Sequence, residues 1–189
     1  VKAQPQANGL HAAQMIAGGL KATILLNNEP ALDSAAGQQA LQGLNKSEMV
    51  VTLSPFKTNL DISDVLLPIA PFTETSGSFV NAEGRVQSFH AVVKPLGETR
   101  PAWKVLRVLA NLLGVQGVDY ESSQDVLRTA IGADTTQVPA QVLSNATKTV
   151  IQVPAGPVAE PVVASIYQLD SIVRRAPSLQ LTADARQAQ

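Results

Sequence analysis

Three short apolar runs constrain this chain more than anything else in it: Ala22-Thr23-Ile24-Leu25-Leu26, Met49-Val50-Val51-Thr52-Leu53 and Val65-Leu66-Leu67. Each is too short for a core helix and contains a β-branched residue. Each is stopped by turn-forming or proline residues, namely Asn27-Asn28-Glu29-Pro30, Ser54-Pro55 and Pro68. Such runs read as buried strands. Ser34 is placed to cap a helix running to about Leu44, with Leu41 and Leu44 on one face, and residues 58–63 read as a polar helical turn. A further short helix is expected over residues 9–18. Apolar strands separated by helical stretches predict βαβ units. The expected class is α/β, a parallel-sheet layer with flanking helices over residues 9–71.

The pattern changes after Pro71. Ser78-Phe79-Val80 and Arg85-Val86-Gln87-Ser88-Phe89 flank Asn81-Ala82-Glu83-Gly84, which predicts a β-hairpin with Gly84 at a positive-φ position. Pro101 opens an amphipathic helix carrying Trp103, Leu106, Leu109 and Leu113 and ended by Gly114. Ser122 or Ser123 caps another, ended by Gly132. The hairpin and two helices make a second part, residues 72–132. Residues 133–161, with Pro154, Pro157 and Pro161, read as a loose linker with a possible edge strand over 147–153. Residues 162–181 are expected to form a C-terminal lobe. It begins with a strand through Tyr167, followed by a short helix capped by Asp170 and ended by Pro177, and the last eight or so residues are disordered.

Composition removes several classes of function. The net charge is −1, with no basic stripe, so the electrostatic footprint of a nucleic-acid binder is missing. The chain has no cysteine, which excludes disulfides, thiolate nucleophiles and cysteine-ligated iron–sulfur clusters within these residues. No window approaches the roughly 18 apolar residues of a spanning helix, and no charged segment precedes an apolar one as in a signal peptide. Val1 rather than Met opens the chain, as expected of a piece of a longer polypeptide. Charged residues are only 15% of the total, and so charge-poor a surface is expected to face another protein in part.

Sequence signatures for chemistry are sparse. No dinucleotide fingerprint, P-loop or nucleophile elbow occurs. His11 and His90 are the only histidines, and neither is spaced from carboxylates as metal ligands usually are. Asp61 and Asp64 share a face if their turn is helical, which can serve acid–base work but is more often a solvated face or a cap before a strand. Ser76 and Ser78 flank Gly77 without an identifiable base. The densest polar stretch runs from Glu74 to Arg85. It either aims Arg85 at a polar ligand such as a phosphate, or pairs Arg85 with Glu74 or Glu83 in a buried fork while Asn81 satisfies the turn backbone.

At that stretch the chain resembles a known family. Asp64-Val65-Leu66-Leu67-Pro68, Phe72-Thr73-Glu74, Gly77-Ser78-Phe79-Val80-Asn81 and Glu83-Gly84-Arg85-Val86-Gln87 are similar to a segment of molybdopterin oxidoreductases. Gly84 stands where the formate-dehydrogenase branch usually has a second arginine, which points to the branch that supplies the large, chain-G-type subunit of NADH:quinone oxidoreductase, respiratory complex I. Residues 95–106, and Tyr167-Gln168-Leu169-Asp170-Ser171-Ile172-Val173-Arg174-Arg175-Ala176-Pro177, resemble that branch as well.

The resemblance implies a bacterial peripheral-arm subunit on the cytoplasmic face of the inner membrane. Its iron–sulfur clusters would lie in an amino-terminal part absent here. It implies no cofactor, metal or catalytic residue in these residues. Glu74, Gly77, Asn81, Glu83, Gly84 and Arg85 are then a structural motif. The expected partners are the other subunits of the arm and the rest of the polypeptide. Two alternatives stand beside this. One is the C-terminal part of a formate-dehydrogenase-like enzyme that keeps a guanine-nucleotide site around residues 27–30 and Ser54. The other is a stand-alone protein-interaction module.

Overall fold

A computed structural model describes residues 9–17, 19–83, 85–132 and 165–187. In chain order the regular elements are helix α1 (Ala12–Ile16), strand β1 (Ala22–Leu26), helices α2 (Pro30–Asp33) and α3 (Gly37–Leu44), and strands β2 (Met49–Ser54) and β3 (Val65–Pro68). Strands β4 (Gly77–Val80) and β5 (Val86–Phe89) follow, then helices α4 (Ala102–Leu112) and α5 (Ser123–Ile131). After the undescribed stretch come α6 (Pro177–Gln180) and α7 (Ala183–Gln187). Strands β1, β2 and β3 form a parallel three-stranded sheet in that order, and β4 and β5 form a separate antiparallel pair. The chain is therefore the α/β fold with a hairpin and a helical C-terminal region that its apolar runs predict.

The chain divides into two compact units. One takes in Leu10–Thr52, Thr58–Leu66 and the described C-terminal residues. Its core is Leu25, Leu44 and Val50, with Ile62 packed against them. Burying side chains of this size contributes roughly 1.5–3 kcal/mol each. Thr52, fully buried, shares a 2.7 Å hydrogen bond with Ser63, so its hydroxyl is not left unsatisfied. Two asparagines adopt left-handed backbone, Asn27 at φ 49° and Asn59 at φ 56°, a conformation asparagine tolerates better than most residues. The Asn59 amide donates to the Asn28 carbonyl at 2.8 Å, tying the turn before β3 to the loop after β1.

The other unit takes in Leu53–Lys57 and the described residues from Leu67 through α5. Leu53 and Ile69 are fully buried in it. Ile69 bridges Arg100 in parallel, and Ala70 N–H donates to the Arg100 carbonyl at 2.9 Å, which anchors the start of α4. Ser122 and Asp125 close a reciprocal capping box at the start of α5. The side-chain hydrogen bond from Ser122, chiefly, holds the Asp125 carboxyl below its ordinary range.

Several sequence expectations need correction. β1 and β3 are not buried strands: in β1 only Leu25 is buried, while Ile24 and Leu26 are 48% and 43% exposed, and in β3 no residue is buried and Val65 is 40% exposed. Ser34 does not cap the helix. Its hydroxyl accepts from Ala36 N–H in a turn, and α3 begins only at Gly37. Position 37 must be glycine there, since a Cβ on it would stand 2.4 Å from the Ala31 carbonyl oxygen. The described end of the expected strand at residues 162–167 is a turn, with Ile166 71% exposed. The short helix expected through Arg175 is a 3-10 turn, Val173–Arg175, begun by Asp170, and Pro177 then starts a further helix, as its fixed φ favours at a first helical position. The tail expected to be disordered contains α7, anchored by the buried Ala185. The linker at 133–161 and its edge strand, and the backbone of Gly84, lie outside the described residues.

Candidate functional site

The densest charged cluster lies at the carboxyl end of β1. Glu29 stands at the start of α2, in the loop that Asn27 opens after the strand, and Asp33 ends that helical turn. Asp33 accepts the Glu29 backbone N–H at 2.6 Å. Against them sit Arg174 and Arg175, the latter in a fork: its Nη1 reaches Glu29 Oε1 at 2.8 Å and its Nη2 reaches Oε2 at 3.0 Å. Arg174 Nη2 donates to Asp33. Arg174 Nη1 lies 3.2 Å from Glu29 Oε1 but is aligned too poorly to hydrogen-bond, so that contact is one of charge only. Arg174 Nε donates to the Gln168 carbonyl, and Arg175 Nη1 to that of Ser171 at 2.9 Å.

The arginine-bearing segment is itself held in place. Asp170 Oδ1 accepts from Ile172 and Val173 N–H at 2.8 and 3.1 Å, starting the helical turn that carries both arginines. Gln180 of α6 donates to the Tyr167 and Val173 carbonyls at 3.0 and 2.8 Å. Side chains of Glu29 and Arg174 are 13% and 5% exposed. Burial alone would raise the Glu29 carboxyl. Hydrogen bonds from Arg175 and Thr58, with the charges of Arg175 and Arg174, outweigh it and hold the group below its ordinary value.

The hairpin is built differently. Asn81 Oδ1 accepts from Glu83 and Arg85 N–H at 3.0 and 2.9 Å, so Asn81 does satisfy the turn backbone. The buried fork does not form. Arg85 meets Glu83 at 3.9 Å with both side chains more than 60% exposed, and Glu74 instead accepts Leu96 N–H at 2.9 Å. Gly77 faces the Phe89 ring, which a Cβ would approach to 2.8 Å, and Phe89 stacks on Phe79 at 5.3 Å.

The remaining sequence candidates have local roles. Asp64 Oδ2 accepts Val50 N–H at 2.7 Å, extending the β2–β3 pairing, so it is not half of an acid–base pair with Asp61. His11 caps α1 through Nδ1. Ser76 Oγ accepts Ala91 N–H, and Ser78 pairs with Ser88 across the hairpin at 2.8 Å. Among the described residues, no three His, Asp or Glu side chains gather as metal ligands, and no helix is long and apolar enough to cross a membrane. Sequence reasoning did not join Glu29 and Asp33 to Arg174 and Arg175. The available signal was an adjacent arginine pair in a charge-poor chain.

The family model for molybdopterin oxidoreductase matches residues 1–112. The chain belongs to that family. A relative named "Probable oxidoreductase YjgC", of Bacillus subtilis (strain 168), is 31% identical over 131 residues, covering 67% of this chain and 13% of that one. A "Putative formate dehydrogenase" of Staphylococcus aureus (strain bovine RF122 / ET3-1) is 46% identical over 52 residues, 28% of this chain and 5% of that one. Another so named, from S. aureus (strain USA300), is 37% identical over 70 residues, covering 36% and 7%. The chain thus spans a small fraction of the length of these relatives.

A family named for molybdopterin invites a test of fit. Ligands of open α/β sheets sit beyond the carboxyl ends of the strands, and a phosphate-bearing cofactor needs N–H donors or uncommitted cations there. Beyond β1 this chain offers two carboxylates. Pro30 at the first helical position supplies no N–H, and the Glu29 amide is taken by Asp33. Both guanidinium groups are already engaged with Glu29 and Asp33. The cations beyond β1 are thus already paired with carboxylates of this chain, which counts against a phosphate-bearing cofactor held by these arginines.

Proposed function

We propose that the chain is a non-catalytic, structural portion of the large iron–sulfur subunit of a bacterial NADH:quinone oxidoreductase. It would pack against the cluster-bearing part of its own polypeptide and neighbouring subunits, peripheral on the cytoplasmic face of the inner membrane. Electron transfer from NADH to quinone would run through clusters elsewhere. The observation that carries this reading is the closure of the β1 end by Arg174 and Arg175, which engages the groups a phosphate would need. The motif likeness around Gly84 and the Arg174-Arg175-Ala176-Pro177 tail support the same branch. Metal analysis of the intact purified protein tests it. Iron without molybdenum, and no guanine nucleotide released by acid, is the expected result; stoichiometric molybdenum overturns the reading.

The names of the S. aureus relatives favour a second reading, a formate-dehydrogenase-like oxidoreductase; it would keep a guanine-nucleotide site around residues 27–30 and Ser54. Guanosine diphosphate at 100 times its dissociation constant would then stabilise the protein by about 2.7 kcal/mol. An unchanged melting temperature at millimolar ligand removes this alternative.

A further inference from the structure

Residues 167–180 are bonded to themselves in one way and to the rest of their unit in another. Within the segment, Gln180 Nε2 donates to the Tyr167 and Val173 carbonyls, Arg174 Nε donates to the Gln168 carbonyl, and Asp170 accepts from Ile172 and Val173 N–H. Backbone bonds run from Arg174 N–H to the Asp170 carbonyl at 2.9 Å and from Gln180 N–H to that of Ala176 at 3.1 Å. The first residue of the segment is thus tied to the last without help from the sheet.

The ties to the strand end are charges. Among the described residues, the hydrogen bonds and ion pairs from this segment to residues 10–66 are carried by Arg174 and Arg175, which reach Glu29 and Asp33. Apolar side chains add little to that attachment: Leu169, Ile172 and Leu179 are 57%, 47% and 40% exposed. The closed arrangement also leaves Arg174 Nη1 buried without a hydrogen bond, which offsets part of what the pairs contribute. A segment with its own internal bonds, attached through a few charged contacts, has the form of a cooperative unit that opens at a lower free energy than the whole fold.

We infer that residues 167–180 are a charge-held strap that opens as one unit from the carboxyl end of β1 while the sheet stays folded. Opening uncovers the Glu29 and Asp33 carboxylates, so the strap sets whether that strand end is closed. Both sides of the contact belong to this chain. Stoichiometric molybdenum would overturn the assembly role proposed above and leave the strap standing.

The test is native-state hydrogen exchange in low urea on the intact protein, read by mass spectrometry. The amides of residues 174–180 should share one opening, with a shallower urea dependence than the amides of β2, because less surface is exposed when only the strap opens. Arg174→Ala should speed exchange in the strap by roughly a hundredfold or more, the factor that loss of one partner of a buried pair implies. Val50→Ala should speed exchange in β2 and leave the strap unchanged, since Val50 belongs to the core that stays packed when the strap opens. If an alanine variant fails to fold by circular dichroism, the parent profile is paired with Arg175→Lys, which keeps the charge and loses the fork, and a several-fold rise in the strap is expected. The same urea dependence in strap and β2, strap exchange indifferent to the arginine changes, or strap exchange sped by Val50→Ala overturns the proposal.

Discussion

The loop after β1 and the β4–β5 hairpin both carry arginines facing glutamates, and they use them in opposite ways. At Glu29 the two arginines sit in a part-buried network with forked geometry and several backbone acceptors. At Arg85 a single contact of 3.9 Å is open to solvent. Removing one partner of a charge pair costs much where water is excluded and geometry is fixed, and little where it is not. The motif most like other proteins in sequence is therefore not the one whose charges hold this fold together.

Replacing Arg174 breaks the comparison most directly. Arg174→Ala leaves the Glu29 and Asp33 carboxylates short of a countercharge, and about 3–5 kcal/mol of stability should be lost in urea unfolding. Arg174→Met, which restores packing volume, should recover only part of this. A loss under 1 kcal/mol, no more than expected of an exposed pair, would erase the contrast.

The glycines sharpen it next. Gly37→Ala drives a Cβ into a main-chain carbonyl that cannot swing away, so roughly 1–3 kcal/mol should be lost. Gly77→Ala meets only the tip of the Phe89 ring, which can rotate aside, and should lose less than Gly37→Ala in the same thermal melts.

Acid titration separates the regions by a third route. The Glu29 carboxyl is depressed below its ordinary value of 4.5 in the folded chain. Its contribution is fully present above that value and is lost as pH falls through the lower folded value. Stability followed from pH 7 to pH 3 should therefore fall more steeply in the parent than in Glu29→Gln. Parallel curves would show that the network does not bind protons differently on unfolding. Arg85→Ala marks the small end of the scale. Its pair is exposed, so a change of no more than about 1 kcal/mol is expected from the same unfolding curves.

Much of the fold can be read from short stretches of sequence. The three apolar runs become β1, β2 and β3 because their β-branched residues and flanking stops act over a few residues. The hairpin register follows from its turn, with Gly77 opposite Phe89 and Val80 opposite Val86. Ser122 is a cap because its partner, Asp125, is three residues away. Where these readings failed, packing intervened that the local pattern does not show. The helix expected from Ser34 starts three residues later, with Gly37 against the Ala31 carbonyl, and the tail carries a helix whose Ala185 is buried. The candidate site was the least readable part, since its cations and carboxylates lie at opposite ends of the chain.

By itself the sequence determined the parallel-sheet class, the hairpin, the caps and the likeness to molybdopterin oxidoreductases, all of which rest on interactions between near neighbours. Only the tertiary structure decided which charges are neutralised. Arg174 and Asp33 are 141 residues apart, and Arg175 and Glu29 146. Pairing at such separation follows from where packing brings the chain together, because closing so long a loop has almost the same entropic cost for many alternative partners.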